Sequence, residues 1–261
     1  MNRPPLSAVV TCFDNAATLA ACLASLAFCE DLVVLDSGSS DASRDIAVAH
    51  GARVFVEPFK GYGPQKQSAV DKAAHDWVLL LDADEEMTPD GRARIEAELA
   101  APRAEGYRLA RREWLFWRWP HRWTRPTWQL RLFRRSRGAL NEVPVHAAPQ
   151  VRGRVRDLFA EFLHHGEADL AVRVDKVNRY SSGLVAHKSR RRQPLIWLFL
   201  VLYPGWVFLR MYLGKRYLFS GAAGFLAART QAFYAFLRYA KVYEARRQSE
   251  AAHQRALRRA S

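Results

Sequence analysis

Residues 77–89 read WVLLLDADEEMTP: five apolar residues, four acids within five positions (Asp82, Asp84, Glu85, Glu86), then a helix-start signal at Thr88 and Pro89. A short apolar run bounded by polar residues reads as a buried strand. Asp82 and Asp84 lie two positions apart, so on extended backbone their side chains point to the same side. Two hard carboxylates so placed suit a divalent cation that keeps some waters and takes its other ligands from substrate phosphates, as Mg²⁺ or Mn²⁺ does. The plainer alternative is a solvated acidic loop whose charges favour the N-terminus of the following helix. Glu85 and Glu86 are expected to be such helix-start charges, or to support the site from behind.

Working outward, the first 100 residues alternate strand and helix signals. SAVVTC, DLVVLD and ARVFV read as strands before WVLLLD. Between them, Leu19, Leu23 and Leu26 are helically spaced, SSDASRDIAVAHG offers a capped short helix, and PQKQSAVDKAAH a further one. Continuous apolar strands alternating with helices predict an α/β fold with a parallel sheet covered on both faces. Ligands of such sheets bind beyond the carboxyl ends of the strands. Thr11 and Asp14 follow the first strand, Asp36 with SGSSD the second, and Asp82 with Asp84 the fourth, so these residues should converge on one edge. Each of Asp14, Asp36 and Asp41 taken singly is also an ordinary cap or turn residue. After residue 105, plausible strands at Tyr107–Arg111 and Gln129–Phe133 predict an antiparallel completion of the sheet.

A chain of 261 residues with 49% hydrophobic content can bury a sizeable core, which excludes a disordered protein. Cys12, Cys22 and Cys29 have neither CxxC spacing nor nearby histidines, so buried free thiols in a reducing compartment are expected, not a disulfide frame or zinc site. The N-terminal apolar run meets Asp14 too early for a signal peptide, and a cytoplasmic protein is expected. The net charge of +14 is split: residues 1–100 hold 8 basic and 16 acidic residues, leaving 32 and 10 in the rest. An acidic front and a basic back predict an anionic partner for the back half, either nucleic acid or an anionic membrane surface.

SAVVTCFDNAATLAACLASL, VVLDSGSSDAS and GYGPQKQSAVDKAAHDWVLLLDADEEMTP, in that order, strongly resemble the family 2 glycosyltransferases with the GT-A fold, a Rossmann-like mixed sheet flanked by helices. The likeness is closest to the branch containing lipopolysaccharide core β-1,4-glucosyltransferases that act on heptose, and the WQLRLFRR and VPVH stretches and the tail share it. The resemblance implies that Thr11, Phe13 and Asp14 line the nucleotide base pocket, that Asp36 holds base or ribose, and that Gln65 and Lys66 lie near the diphosphate. Asp82 and Asp84 match the DxD motif, with Asp84 the metal ligand and Asp82 approaching ribose and metal-bound water. The implied reaction is inverting transfer of a hexose, most simply glucose from UDP-glucose, to a lipid-linked core glycan at the cytoplasmic face of the inner membrane. A base must then take the acceptor's proton. Where the branch often has VHE this chain has Val145, His146 and Ala147; Glu142 becomes the leading base candidate, with His146 beside it.

These readings divide the chain into a glycosyltransferase domain over 1–174, nucleotide-sugar half 1–104 and acceptor half 105–174, and a helical membrane-associating region over 175–261. In the latter, LIWLFLVLYPGWVFL (195–209) is uncharged, flanked by Arg190–Arg192 and by Arg210, Lys215 and Arg216, and interrupted by Pro204-Gly205. It fits a segment lying in an anionic interface; a true span and a buried core helix pair are the alternatives. The interleaved arginines and tryptophans of 111–135 also suit single-stranded nucleic acid. A nucleic-acid-binding protein, or a metal-dependent nucleotidyltransferase, is therefore the rival reading; the long uncharged aromatic segment favours lipid, with no nucleic acid partner.

Overall fold

The computed structural model describes residues 3–141, 148–166, 169–183 and 195–260. The chain divides into two compact units, one of Met1–Glu113 and Pro126–His165, the other of Trp114–Arg125 and Gly166–Ser261.

The first unit opens with the expected alternation. β1 (Leu6–Cys12), α1 (Ala16–Ser25), β2 (Asp31–Asp36), α2 (Ser43–Ala49), β3 (Arg53–Val56), α3 (Tyr62–Asp71) and β4 (Trp77–Asp82) follow one another. Next come β5 (Glu85–Met87), α4 (Pro89–Leu99), β6 (Gly106–Glu113), β7 (Thr127–Arg134), the small hairpin β8 (Gly138–Leu140) and β9 (Pro149–Val151), and β10 (Val155–His164). The main sheet runs β3-β2-β1-β4-β7-β6-β10-β5. The first four strands are parallel, β7 is antiparallel to β4 and β6, and β5 is antiparallel to β10. This is the mixed sheet flanked by helices that the sequence predicts.

Alternation within the apolar runs explains their continuity. Ala8, Val10, Leu79 and Leu81 pack with Leu19, Leu23, Ile95 and Leu99 on one face. Val9, Val78 and Leu80 pack with Ala69, Val70 and Phe133 on the other. Strands covered on both faces have no side left to be polar. The three cysteines are free and buried, as expected.

Thr88 caps α4 as the sequence predicts, accepting from Gly91 N at 3.0 Å and donating its hydroxyl to the Glu161 carbonyl at 2.7 Å. This brings the first turn of α4 hard against β10. A Cβ at Gly91 would collide with the Glu161 carbonyl oxygen and lie 2.8 Å from Met87 Sδ. Alanine is the better helix former by about 1 kcal/mol, yet overpacking against backbone costs about 1–3 kcal/mol. Gly91→Ala should therefore lower the urea midpoint; an unchanged or higher midpoint would mean that α4 can slide off β10.

In the second unit α5 (Leu170–Gly183), α6 (Ile196–Leu209) and α7 (Gly221–Ala260) are joined, between the last two, by a π-turn at Arg210–Gly214 and a 3₁₀ turn at Tyr217–Ser220. The expected interruption at Pro204-Gly205 does not occur. Pro204 sits inside α6, so the loss of one backbone donor does not end a helix whose other positions keep their bonds. The continuous stretch Ile196–Gly214 is, by length and composition, long and apolar enough to cross a membrane. Among its apolar residues only Ile196 and Val207 are buried, which removes the buried helix pair as a reading. The division also departs from the expected boundary at residue 174: residues 114–125 belong with the helices, because Leu115 and Phe116 bury themselves against Tyr217, Ala223 and Ala227.

Candidate active site

In the order β3-β2-β1-β4 the chain moves from β1 out to β3 and then returns to the other side of β1, which makes the β1/β4 boundary the topological switch point of the sheet. Register places Thr11 beside Asp82 and Cys12 beside Asp36. The strand-end residues predicted to converge do meet at one edge.

At the end of β1 the Phe13 ring is 59% exposed. Asp14 adopts a left-handed conformation (φ 51°), and its carboxylate accepts from Ser40 N at 2.8 Å, while its own N–H donates to Ser39 Oγ at 2.9 Å. The β1–α1 and β2–α2 loops are thereby laced together below an exposed aromatic face. Asp36 is wholly buried. One of its oxygens accepts from Gly38 N (3.0 Å) and Ser39 N (2.9 Å), the other from the Ser39 hydroxyl and from Cys12 Sγ (3.4 Å). In this geometry Asp36 shapes the loop. Burial and the adjacent Asp36 charge push the Cys12 thiol up to about 12. Gln65 is buried too, donating to Ser37 Oγ at 3.2 Å and accepting from Lys60 N at 3.2 Å.

The acidic stretch separates into two groups. β4 ends at Asp82 and a turn at Ala83-Asp84 intervenes before β5, so the two aspartates are not side by side on extended backbone. Asp82 forms an ion pair with Lys66 and another with Arg131 Nη2 at 3.0 Å. Arg131 also binds Glu85 at 2.6 Å, and Glu85, with no exposure at all, lies 3.3 Å from Arg111. Glu85 is thus no helix-start charge: as the first residue of β5 it is turned into the interior, where only cationic partners make a carboxylate tolerable. Burial would raise the Asp82 carboxyl, but Arg131 and Lys66 outweigh it and hold the group far below the usual range. Glu85 moves the other way, raised by burial against the pull of Arg131 and pushed further by the Asp82 charge.

Asp84 faces a different partner. Its Oδ2 is 3.3 Å from His164 Nε2, and His164 Nδ1 is 2.7 Å from Glu113 Oε2. Glu113 pairs in turn with Arg111, linking this trio to the Arg131 group. The Asp84 carbonyl accepts from His165 N at 2.9 Å, so the turn is pinned to the end of β10. Burial disfavours a charged His164, yet the bonds to Asp84 and Glu113 prevail and raise it to about 9. Glu113 is drawn down to about 2, burial being outweighed by the His164 hydrogen bond and the Arg111 charge.

The donor chemistry fits a divalent cation: a carboxylate and an imidazole meet, and Glu113 holds the far nitrogen of the ring as carboxylates commonly do behind a metal-binding histidine. Among the described residues no three His, Cys, Asp or Glu side chains converge on one point. Asp84 and His164 would hold the ion as a pair and leave its other positions to water and phosphate oxygens. His164, Glu113, Arg111 and Arg131 were not legible as site residues. The available signals were Arg131 between apolar residues in TWQLRLFR and the paired histidines ending VRDLFAEFLHH. Glu142 and His146 lie outside the described residues.

This chain belongs to glycosyl transferase family 2, whose model matches residues 7–163, nearly all of the sheet unit. It is an enzyme of the sugar-transferring class. A lipopolysaccharide core biosynthesis glycosyltransferase of Rhizobium meliloti (strain 1021), LpsC, is 31% identical over 92% of this chain and 92% of its own length. An uncharacterized glycosyltransferase of Rickettsia felis is 27% identical over 92% and 89%. Among solved structures, glucosyl-3-phosphoglycerate synthase from Mycobacterium tuberculosis aligns over 42% of this chain and 44% of its own at 23% identity and a TM-score of 0.37, a likeness too distant to carry anything about the site. Family membership decides against a nucleic-acid-binding module.

Proposed function

We propose that this protein is an inverting, metal-dependent hexosyltransferase that moves glucose from UDP-glucose to a lipid-linked lipopolysaccharide core or related cell-envelope glycan at the cytoplasmic face of the inner membrane. The observation that carries the reading is the meeting of Asp84 and His164 at the switch point of the sheet, on the edge where Phe13 offers an exposed ring. An aromatic face suits a nucleobase. Thr11 and Asp14 frame the same pocket, Asp36 and Gln65 support its loops from within, and Lys66 with Asp82 borders the diphosphate. A divalent cation, Mg²⁺ or Mn²⁺, held by Asp84 and His164 supplies positive charge against which the departing diphosphate is stabilised. Asp82, already neutralised by Lys66 and Arg131, fits the role of orienting the donor better than that of a second metal ligand. Glu142 is kept as base candidate, with His146 as its neighbour. The similarity to LpsC supports a core-glycan acceptor.

The test is a panel of nucleotide sugars read by thermal shift with and without Mn²⁺, followed by turnover of the binding donor. UDP-glucose should raise the melting temperature only with the metal, since a ligand that binds the folded state alone stabilises it by an amount that grows with the logarithm of its concentration over its Kd. Asp84→Ala, folded by circular dichroism, should lose that shift and at least a hundredfold in turnover. Wild-type turnover by the variant defeats the metal reading, and a shift confined to another nucleotide sugar defeats the donor assignment.

A further inference from the structure

From the helical unit we infer a docking face for an anionic lipid bilayer, on which α6 lies in the plane of the interface instead of crossing it. The inference deepens the reading above, in which the acceptor is carried on lipid.

The face begins on α6. Trp197, Val201, Leu202, Trp206, Leu209 and Leu213 are all exposed, Trp206 to 60%, and recur at helical spacing along one side. The opposite side carries the buried Ile196 and Val207, and rings at its two margins pack on α7: Phe199 stacks on Tyr239 with ring centroids 5.3 Å apart, and Phe208 meets Phe225 at 5.7 Å. α7 widens the apolar surface with exposed Phe225, Phe233 and Phe236. Exposed apolar residues gathered in this way, with a basic rim, mark a surface for protein or membrane contact.

Charge decides what covers it. Between Asp175 and Glu244 the sequence contains no acidic residue, and none occurs between Glu113 and Glu142. The 114–125 segment is fastened to the turn between α6 and α7: Arg125 N donates to the Lys215 carbonyl at 3.0 Å, His121 N to Ser220 Oγ at 3.0 Å, and Trp123 meets Phe219 edge-on at 5.0 Å. That fastening adds exposed Trp117 and Trp123 alternating with exposed Arg118, Arg122 and Arg125, beside exposed Arg210 and Arg216. Tryptophan at headgroup level and arginine on phosphate are the pairing an anionic interface selects.

The neighbours of α6 exclude a transbilayer course. Arg238 lies over the Tyr203 ring at 5.9 Å, level with the middle of α6, and Arg229 over Phe208 at 5.5 Å. Lys241 of α7 donates to the Asn178 carbonyl and to Ser182 Oγ, both at 2.8 Å, tying on α5 with its Arg173, Asp175, Lys176 and Arg179. A span would draw this charged backing into hydrocarbon, where each such side chain is strongly disfavoured. Laid flat, α6 faces the acyl chains, and the α7 arginines reach headgroups along their own aliphatic stems.

The test uses the full chain carrying nitroxide labels at Leu195→Cys or Leu209→Cys, both exposed, while the three native thiols are buried. The two positions are about 21 Å apart along a helix. With phosphatidylcholine vesicles containing phosphatidylglycerol, both labels should report one shallow depth, roughly 5–10 Å below the phosphates. Binding should be at least tenfold weaker to pure phosphatidylcholine, and Leu202→Glu/Trp206→Glu should abolish it. Depths differing by most of the 21 Å, or equal binding to neutral vesicles, overturn the inference. UDP-glucose turnover is scored separately in vesicle-free solution. Turnover without vesicle binding defeats the docking face alone; binding without turnover on any nucleotide sugar defeats the catalytic reading alone.

Discussion

Arg131→Leu should lower the melting temperature by roughly 10 °C or more. Arg131 is buried between two carboxylates, 3.0 Å from Asp82 and 2.6 Å from the wholly buried Glu85. Removing one member of a buried ion pair costs about 3–5 kcal/mol, because the remaining charge is left without solvent or partner. For a chain of this size each kilocalorie is worth about 2–4 °C. The size of the effect rests on Glu85, which is wholly buried and would keep only the longer contact to Arg111 at 3.3 Å, whereas Asp82 keeps its ion pair with Lys66. Adding Glu85→Gln to Arg131→Leu should therefore recover a large part of the loss, as replacing both partners is far less damaging than orphaning one. Calorimetry of the wild type, the single variant and the double variant checks both statements. A single variant within 2 °C of wild type would show that water reaches this cluster.

Binding of Mn²⁺ should strengthen about tenfold per pH unit between pH 6.5 and 9 and level off above that. His164 is raised to about 9 by Asp84 and Glu113, so at neutral pH its Nε2 carries the proton that a metal must displace. The same shift sets the stability of the metal-free protein. A folded-state value above the ordinary 6.5 of histidine contributes stability that is fully present below pH 6.5 and is lost as pH rises through 9. Melting temperature without metal should therefore fall across that window, by the equivalent of at most about 3 kcal/mol. Saturating Mn²⁺ should flatten that slope, because the metal-bound fold carries no proton on His164 and the unfolded histidine carries almost none well above pH 6.5. His164→Gln should flatten both dependences, and Glu113→Gln should move the metal transition to lower pH by removing the charge that favours the imidazolium. Titration of Mn²⁺ by electron paramagnetic resonance, without donor, reads the affinity directly. A pH-independent affinity would sink the assignment of His164 as a ligand.

The parts of the fold that were readable share a physical cause. β1, β2 and β4 are covered on both faces, so their apolar runs are continuous and stand out from any flanking residue. α4 was readable because its start is a local matter of Thr88 accepting from Gly91 N. β10 was not. It exposes alternate positions, and VRDLFAEFLH mixes charge with apolar residues in a way that a surface helix also does. α6 runs on through Pro204, since a proline removes one hydrogen bond but does not by itself overrule the many others along a long apolar helix.

WVLLLDADEEMTP determined, on its own, that a buried strand ends in carboxylates and that a helix follows, because burial and capping are decided by neighbours in sequence. The linked motifs around it were enough to place the chain among family 2 glycosyltransferases. What each acid does was decided only by tertiary structure. Asp82 and Glu85 take their partner from Arg131, 49 and 46 residues away, and Asp84 takes His164, whose second nitrogen is held by Glu113 from 51 residues away. Charge on a buried carboxylate is set by what lies within a few ångströms of it, and that distance is fixed by β7 and β10 reaching the same edge of the sheet, which no local pattern of residues specifies.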